Sequence, residues 1–444
     1  MIAPSKGEAA DGLWLAEAAR RAAVAITFGG IVYVVAPPRD RRRLRIALKA
    51  ENLECVESFL HVPDATRSRF LIPLRRRPLR HALTHLVPLR GRNRPLAVLV
   101  TRLPATRALA RFAVPIGFAA RHADSPALFE WLFQNGNAVS AILAPGAGKD
   151  PLRIALHAFP ASAAAPSFVA KCGGEPNRVA NLTGRLRTHA ATAGAAGATV
   201  PRALATIGGE RPVLLETAVP GTNAAVFLSS HPRRLPDVVD GLVTWLDRWQ
   251  QLTVIEVELD APLLDEWVLK PAARLEDSIT DGPTYVNRLE RLCRRAAGRI
   301  PLVTMHGDLT MANVLIDRRR GQPAAIGVVD WEAARSKALP LLDLFYMLAD
   351  AAAAVDAYEN RVAAARQCFS STGKHAARAS SARALLARTL SLGGDVTALC
   401  FHACWLHHAN NELRTRRQGA PSPFLGIVDW VASSQDLPPC LAVP

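Results

Sequence analysis

A chain of 444 residues, half of them hydrophobic and about a fifth charged, is long enough for two or three folding units, each with its own core. That composition excludes global disorder and collagen-like or disulfide-scaffold architectures. Seven cysteines, scattered at positions 55, 172, 293, 368, 400, 404 and 440, read as reduced thiols. The opening MIAPSKGEAADGLW lacks the basic end and apolar block of a secretion signal, so a cytoplasmic location is expected. The longest uncharged run, 22–38, is short of about 20 residues and rich in β-formers, so no transmembrane segment is expected.

In chain order, the first region is the basic one. Residues 1–125 carry 22 Lys or Arg against 9 Asp or Glu, +13 of the chain's +16. Arg39, Arg41, Arg42, Arg43 and Arg45, then Arg75, Arg76 and Arg77, suit an anionic partner such as a glycan, a nucleic acid or a charged surface. A plain solvated basic face is the favoured reading, because no recognition motif accompanies the charge. Within this region Gly30 to Leu60 read as strand, helix, strand. The stretch faintly resembles the later half of Rossmann-like methyltransferases, but no glycine-rich cofactor turn precedes it and no methyl transfer is expected.

From about Asn137 short strands alternate with Gly and Pro: VSAILAP, LRIALHAF and SFVAKCG, then a helix over Val179 to Ala198, then VPRALATIG and RPVLLETAVPG. From Leu235 the pattern is mainly helical, in LPDVVDGLVTWLDRWQQL, PTYVNRLERLCRRAAG, LPLLDLFYMLADAAAAV and ALCFHACWLHHANNELRTR. Cys400 and Cys404 with His407 or His408 have metal-ligand spacing on a helix, though their apolar surroundings favour simple burial.

The most specific signal is HGDLTMANVL at His306 to Leu315, followed by the apolar strand AAIGVVD and Trp-Glu, ending at Glu332. It resembles the catalytic loop and metal strand of the aminoglycoside phosphotransferase and choline kinase-like family, and more distantly those of protein kinases. The resemblance implies that Asp308 accepts and orients the proton of an acceptor hydroxyl. Asn313, five positions on, and Asp330 at the strand end would supply a neutral and a charged oxygen to Mg²⁺. Asp343 would steady the loop by accepting backbone hydrogen bonds, and His306 would be architectural.

By the same resemblance Lys171 would bind the α- and β-phosphates of ATP, and VLLETAVPGT would be the hinge. There the backbone of Glu216, Thr217 and Ala218 would bond the adenine edge, with Leu215 and Val169 as apolar walls. Gly146 and Gly148 form either a flexible turn over the phosphates or an ordinary hairpin turn, and LAPGAGKDP is not a Walker A loop. One departure stands out. The family usually pairs the strand Lys with a Glu on the next helix, whereas here the only acid between Lys171 and Pro201 is Glu175, ahead of that helix. Lys171 then pairs elsewhere, with Asp330 for instance, or the small lobe is compromised.

The expected fold is α+β: a bilobal protein kinase-like arrangement, with a basic α/β region (1–125), a β-rich small lobe (126–218) and a mainly helical large lobe (219–444). The expected activity is Mg²⁺-dependent transfer of the γ-phosphoryl group of ATP to a small-molecule hydroxyl, with a neutral or anionic sugar-like acceptor favoured. The alternative is a catalytically weak nucleotide-binding scaffold. Because every assigned residue lies after position 136, a chain beginning near residue 126 is expected to keep ATP binding.

Overall fold

The structure, a computed structural model, describes residues 16–17, 19–21, 23, 32–36, 41–62, 70–87, 116–122, 138–145, 154–160, 163–172, 176–207, 212–317, 325–415 and 422–442. The chain divides into two compact units, Met1–Val179 with Ala203–Ala218, and Ala180–Arg202 with Val219–Pro444.

The first unit is built on a sheet of nine strands. They are β1 Val32–Ala36, β2 Leu53–Val62, β3 Phe70–Pro73, β4 Ile116–His122, β5 Ala138–Pro145, β6 Ile154–Pro160, β7 Phe168–Cys172, β8 Ala203–Ile207 and β9 Val213–Thr217. Their order is β1-β4-β2-β3-β5-β6-β7-β9-β8, and every neighbouring pair is antiparallel. Period-two alternation gives this sheet two apolar faces. Leu143, Leu156, Ala158, Ala170 and Leu215 line one face, together with Phe59 and Leu71 from the basic region. Ile142 and Phe159 line the other, under the helix Arg76–His81. The strand, helix and strand read between Gly30 and Leu60 are present, but β1 and β2 do not pair with each other; both flank β4. The sheet continues from β3 into β5 through Leu71 opposite Leu143, so strands from either side of residue 125 share one core.

The charge of the basic region is partly placed. On the helix Arg41–Ala50, Leu44 and Leu48 are buried, while Arg42, Arg43, Arg45 and Lys49 face solvent. The i, i+4 leucine spacing is what makes the opposite face basic and wet.

The second unit holds the helices and two small sheets. β10 Thr222–Asn223, β13 Val314–Asp317 and β14 Ala325–Val328 form one sheet; β11 Ile255–Leu259, β12 Gly298–Met305 and β15 Arg335–Ala338 form the other. The four helices expected from sequence occupy Leu235–Thr253, Gly282–Ala296, Leu342–Val355 and Gly394–Thr415. Leu342–Val355 is apolar all round apart from two aspartates and is buried along almost its whole length, as a central helix must be. Cys400 and Cys404 are fully buried, and the Cys404 thiol donates to the Leu342 carbonyl, so this pair is core. Among the described residues, no single helix is long and apolar enough to cross a membrane.

Candidate active site

The catalytic-loop motif sits where β12 runs out. β12 is buried and ends at Met305, and His306 and Gly307 turn the chain away from the sheet. Gly307 takes a positive φ of 79°, and a Cβ there would lie 2.6 Å from the Ala333 carbonyl oxygen, so only glycine fits. Asp343, 3 % exposed, receives both backbone donors of this turn: the His306 N–H to Oδ2 at 2.6 Å and the Gly307 N–H to Oδ1 at 2.9 Å. Burial pushes the Asp343 carboxyl up in pKa, while His306 and the two N–H bonds pull it back down. The His306 ring bridges the loop to the strand segment that leads to Asp330. Its Nε2 lies 2.9 Å from the Val329 carbonyl and its Nδ1 accepts the Asp308 N–H at 3.3 Å, which sets the tautomer with the proton on Nε2.

The two loops meet at Asn313. β13 and β14 form the hairpin expected from sequence, with Val314 opposite Val328, and the Val329 N–H continues the ladder onto the Asn313 carbonyl at 2.9 Å. Asp330 follows with a left-handed φ of 65°, a conformation Asp tolerates better than most residues. Asn313 Nδ2 donates to both the carbonyl and Oδ2 of Asp308, each at 2.9 Å, which turns its amide oxygen away from Asp308. Burial raises the Asp308 carboxyl to about 7, with the Asp330 and Asp350 charges adding to it and the Asn313 and Tyr346 hydrogen bonds opposing.

A carboxylate with that bias, next to an amide oxygen and a second carboxylate, has the chemistry to serve as a base beside a hard-oxygen cation site. Among the described residues no group of three or more His, Cys, Asp or Glu is placed to hold a metal ion. An Asn–Asp pair fits Mg²⁺ all the same, because that ion keeps waters and takes phosphate oxygens rather than an all-protein cage.

Asp350, Tyr346 and Arg361 also shape this site, and the sequence reading passed over them. Asp350, 1 % exposed, accepts the Met311 N–H at 2.6 Å, the Tyr358 hydroxyl at 3.0 Å and Arg361 Nη1 at 2.7 Å. Tyr346 reaches Asp308 Oδ1 at 3.5 Å and stacks on His408 with ring centroids 3.6 Å apart. A signal for them exists in LPLLDLFYMLAD: Asp343 and Asp350 are seven apart with Tyr346 between them, so all three fall on one helical stripe. Asn223 was also missed; it caps the helix Ala224–Ser230 and donates from Nδ2 to the Ala312 carbonyl of the loop.

In the first unit the register settles which nucleotide-side residues face together. Val169 lies opposite Glu216 and Lys171 opposite Leu214, so these four share a face. Lys171 Nζ is 3.7 Å from Glu216 Oε1, with both side chains mostly buried. The partner of the lysine is therefore a strand glutamate. Leu215 pairs with Ala170 on the opposite face, inside the Phe59 and Leu143 cluster, so it does not line the same side as Val169. The Thr217 residue ends β9, and the Ala218 N–H already donates to the Ser167 carbonyl at 3.2 Å. Gly146, Gly148 and Glu175 lie outside the described residues.

Strands β5, β6, β7, β9 and β8 with a helix inserted after β7, and a helical unit carrying His306 to Asp343 as one bonded assembly, have the element order that the resemblance to kinase-like phosphotransferases implies. Residues 174–379 match the model of the phosphotransferase enzyme family, APH, and that segment contains Asp308, Asn313, Asp330 and Asp343. Lys171 lies just ahead of the matched span. Similar solved structures include the GDP and kanamycin complex of APH(2")-IIia, at 14% identity over 68% of this chain and 94% of the other, TM-score 0.44. Aminoglycoside phosphotransferase APH(3'')-Id from Streptomyces rimosus, with ADP and streptomycin, is 18% identical over 67% of this chain and 96% of the other, TM-score 0.36. No curated protein matches the chain. Nothing in these findings supports the faint methyltransferase resemblance of the first region.

Proposed function

We propose that the protein transfers the γ-phosphoryl group of ATP to a hydroxyl of a small molecule, with Asp308 as the base that receives and orients the hydroxyl proton. The observation that carries this reading is the bonded assembly of Asp308, Asn313 and the Val329–Asp330 turn, held from behind by Asp343 and His306. Asn313 and Asp330 would hold Mg²⁺, which when bound neutralises phosphate charge and orients the transferring group. Asp308 has two tasks for the chain itself: to aim the acceptor oxygen and to take its proton.

The acceptor we favour is neutral or anionic and sugar-like rather than a polyamine. Next to Asp308, the Asp350 charge is met by Arg361, and the surrounding side chains are the rings of Tyr346, His408 and Phe424. Arg361 thus offsets one of the three carboxylates gathered there, which lessens the acidic charge a polycation needs. The scaffold alternative was motivated by the absence of an acid on the helix after Lys171; the Glu216 carboxylate beside Lys171 supports the enzyme reading instead.

Calorimetric titration with ATP in the presence and absence of Mg²⁺ tests the cation part. Binding is expected to require Mg²⁺, and Asp330→Ala is expected to weaken that requirement more than Asn313→Ala, because a carboxylate gives a hard cation a full charge and an amide only a dipole. Equally tight ATP binding without metal would favour the scaffold.

A further inference from the structure

We infer that Glu216 is the carboxylate that positions Lys171 for the nucleotide phosphates, from the neighbouring strand instead of the following helix. The inference rests on the function proposed above. Residues 176–198 contain no Asp or Glu, so the helix after β7 has nothing to offer the lysine. The sheet supplies the partner. Lys171 on β7 and Glu216 on β9 face the same way in adjacent antiparallel strands, and their charged atoms are 3.7 Å apart. With side-chain exposures of 14% for Lys171 and 4% for Glu216, the pair is far less screened than a surface ion pair.

A carboxylate this buried is costly unless a cation meets it, so the pairing has a physical reason beyond register. His157 lies opposite Val169 on the same face; burial and the Lys171 charge lower it to about 4, so it stays neutral and adds no competing cation at neutral pH. Both partners belong to one sheet. The lysine is thus set by strand pairing within the first unit and needs no helix movement to be held.

The experiment uses the full chain and four variants: Glu216→Gln, Glu216→Asp, Lys171→Met, and Glu216→Gln with Lys171→Met. MgATP and adenosine affinities are measured by calorimetry, folding by thermal melting, and kcat and KM for ATP by turnover. Glu216→Gln is expected to weaken MgATP binding by about tenfold or more, the scale of one charge-assisted contact, with adenosine affinity and melting temperature little changed. Glu216→Asp should recover part of the loss. The double variant should be no worse than Lys171→Met alone, because a positioning residue acts only through its partner.

Unchanged MgATP affinity in Glu216→Gln, equal losses for MgATP and adenosine, or additive losses in the double variant would each overturn the inference while leaving phosphotransfer standing. A wild-type chain that binds neither MgATP nor adenosine would overturn the functional reading itself, and the inference with it.

Discussion

In the proposed reaction Asp308 does chemistry while buried near two other aspartates, and its surroundings bear on how that would be managed. Burial and the Asp330 and Asp350 charges raise its carboxyl to about 7, Asn313 and Tyr346 donate to it, and Arg361 offsets Asp350. Asp308→Asn keeps the shape but cannot accept a proton. Turnover should fall by about 10²- to 10⁴-fold, with the melting temperature little lowered; near-normal turnover in that variant would remove Asp308 from the mechanism. Gly307 is constrained differently. Any side chain there meets the Ala333 carbonyl and must also hold a positive φ, so Gly307→Ala is expected to cost about 1–3 kcal/mol of stability and to displace the loop. Chemical denaturation of that variant checks it, and wild-type stability would mean that the turn is not held as described.

At the scale of elements, a column of aromatic rings backs the catalytic loop. His306 packs edge-on against Trp331 at 4.8 Å, Trp331 against Trp249 at 5.4 Å, and Trp249 stacks on Trp245 at 5.1 Å. The column ends on the helix that follows Lys171: Trp249 Nε1 lies 3.3 Å from Thr192 Oγ1, and Trp245 Nε1 donates to the Ala193 carbonyl at 3.1 Å. The next segment also joins the metal strand, through the Thr199 N–H to the Ile326 carbonyl and the Val328 N–H to the Thr199 carbonyl. This explains why residues 180–202 fold with the second unit although they interrupt the strands of the first. Trp249→Ala, a fully buried indole removed, is expected to cost about 3–5 kcal/mol, read as a shift in denaturation midpoint.

How legible this was depended on whether a pattern was local. The loop and metal strand were readable because HGD, Asn313 and Asp330 lie within 25 residues and share one hairpin. The strands β5 to β9 were readable from alternation and turns. The partner of Lys171 was not, because it depends on which residue of β9 stands opposite Val169, and register is a tertiary fact. Asp350 was hidden for a related reason: a carboxylate on an apolar helix gives no sign of its partner until Met311 and Arg361 are brought to it.

For the whole molecule, the basic first region bears on stability as well as charge. Phe59 and Leu71 share a cluster with Leu143, Leu156 and Leu215, and β3 covers the edge of β5. A chain beginning near residue 126 would open that edge and that core, so it is expected to melt lower or aggregate rather than to keep ATP binding intact. The sheet thus gives reason to expect the opposite of what the positions of the site residues alone suggested.

The histidines set a second global property. Burial lowers His81 and His402 to about 3 and His157 and His407 to about 4, and holds His408 well below its ordinary 6.5. Between those values and 6.5 the unfolded chain binds more protons than the folded one, so stability rises with pH across that window and falls on acidification. Asp308 and Asp343, raised by burial, act with the opposite sign but are outnumbered. Each such histidine contributes a slope of up to about 1.4 kcal/mol per pH unit. Melting temperature should therefore drop steeply from pH 7 toward pH 4, and a flat profile would mean that these rings are not buried neutral.

Asp308, Asn313 and Asp330 are proposed to carry out Mg²⁺-dependent transfer of the γ-phosphoryl group to a small-molecule hydroxyl. An acceptor screen with γ-labelled ATP, run with the wild-type chain and with Asp308→Asn, tests it most directly. A labelled, non-polyamine acceptor is expected to form only with Mg²⁺ and, at an appreciable rate, only with the wild-type chain. Label transfer that survives Asp308→Asn unchanged, or no transfer to any hydroxyl compound by a chain that binds MgATP, would contradict it.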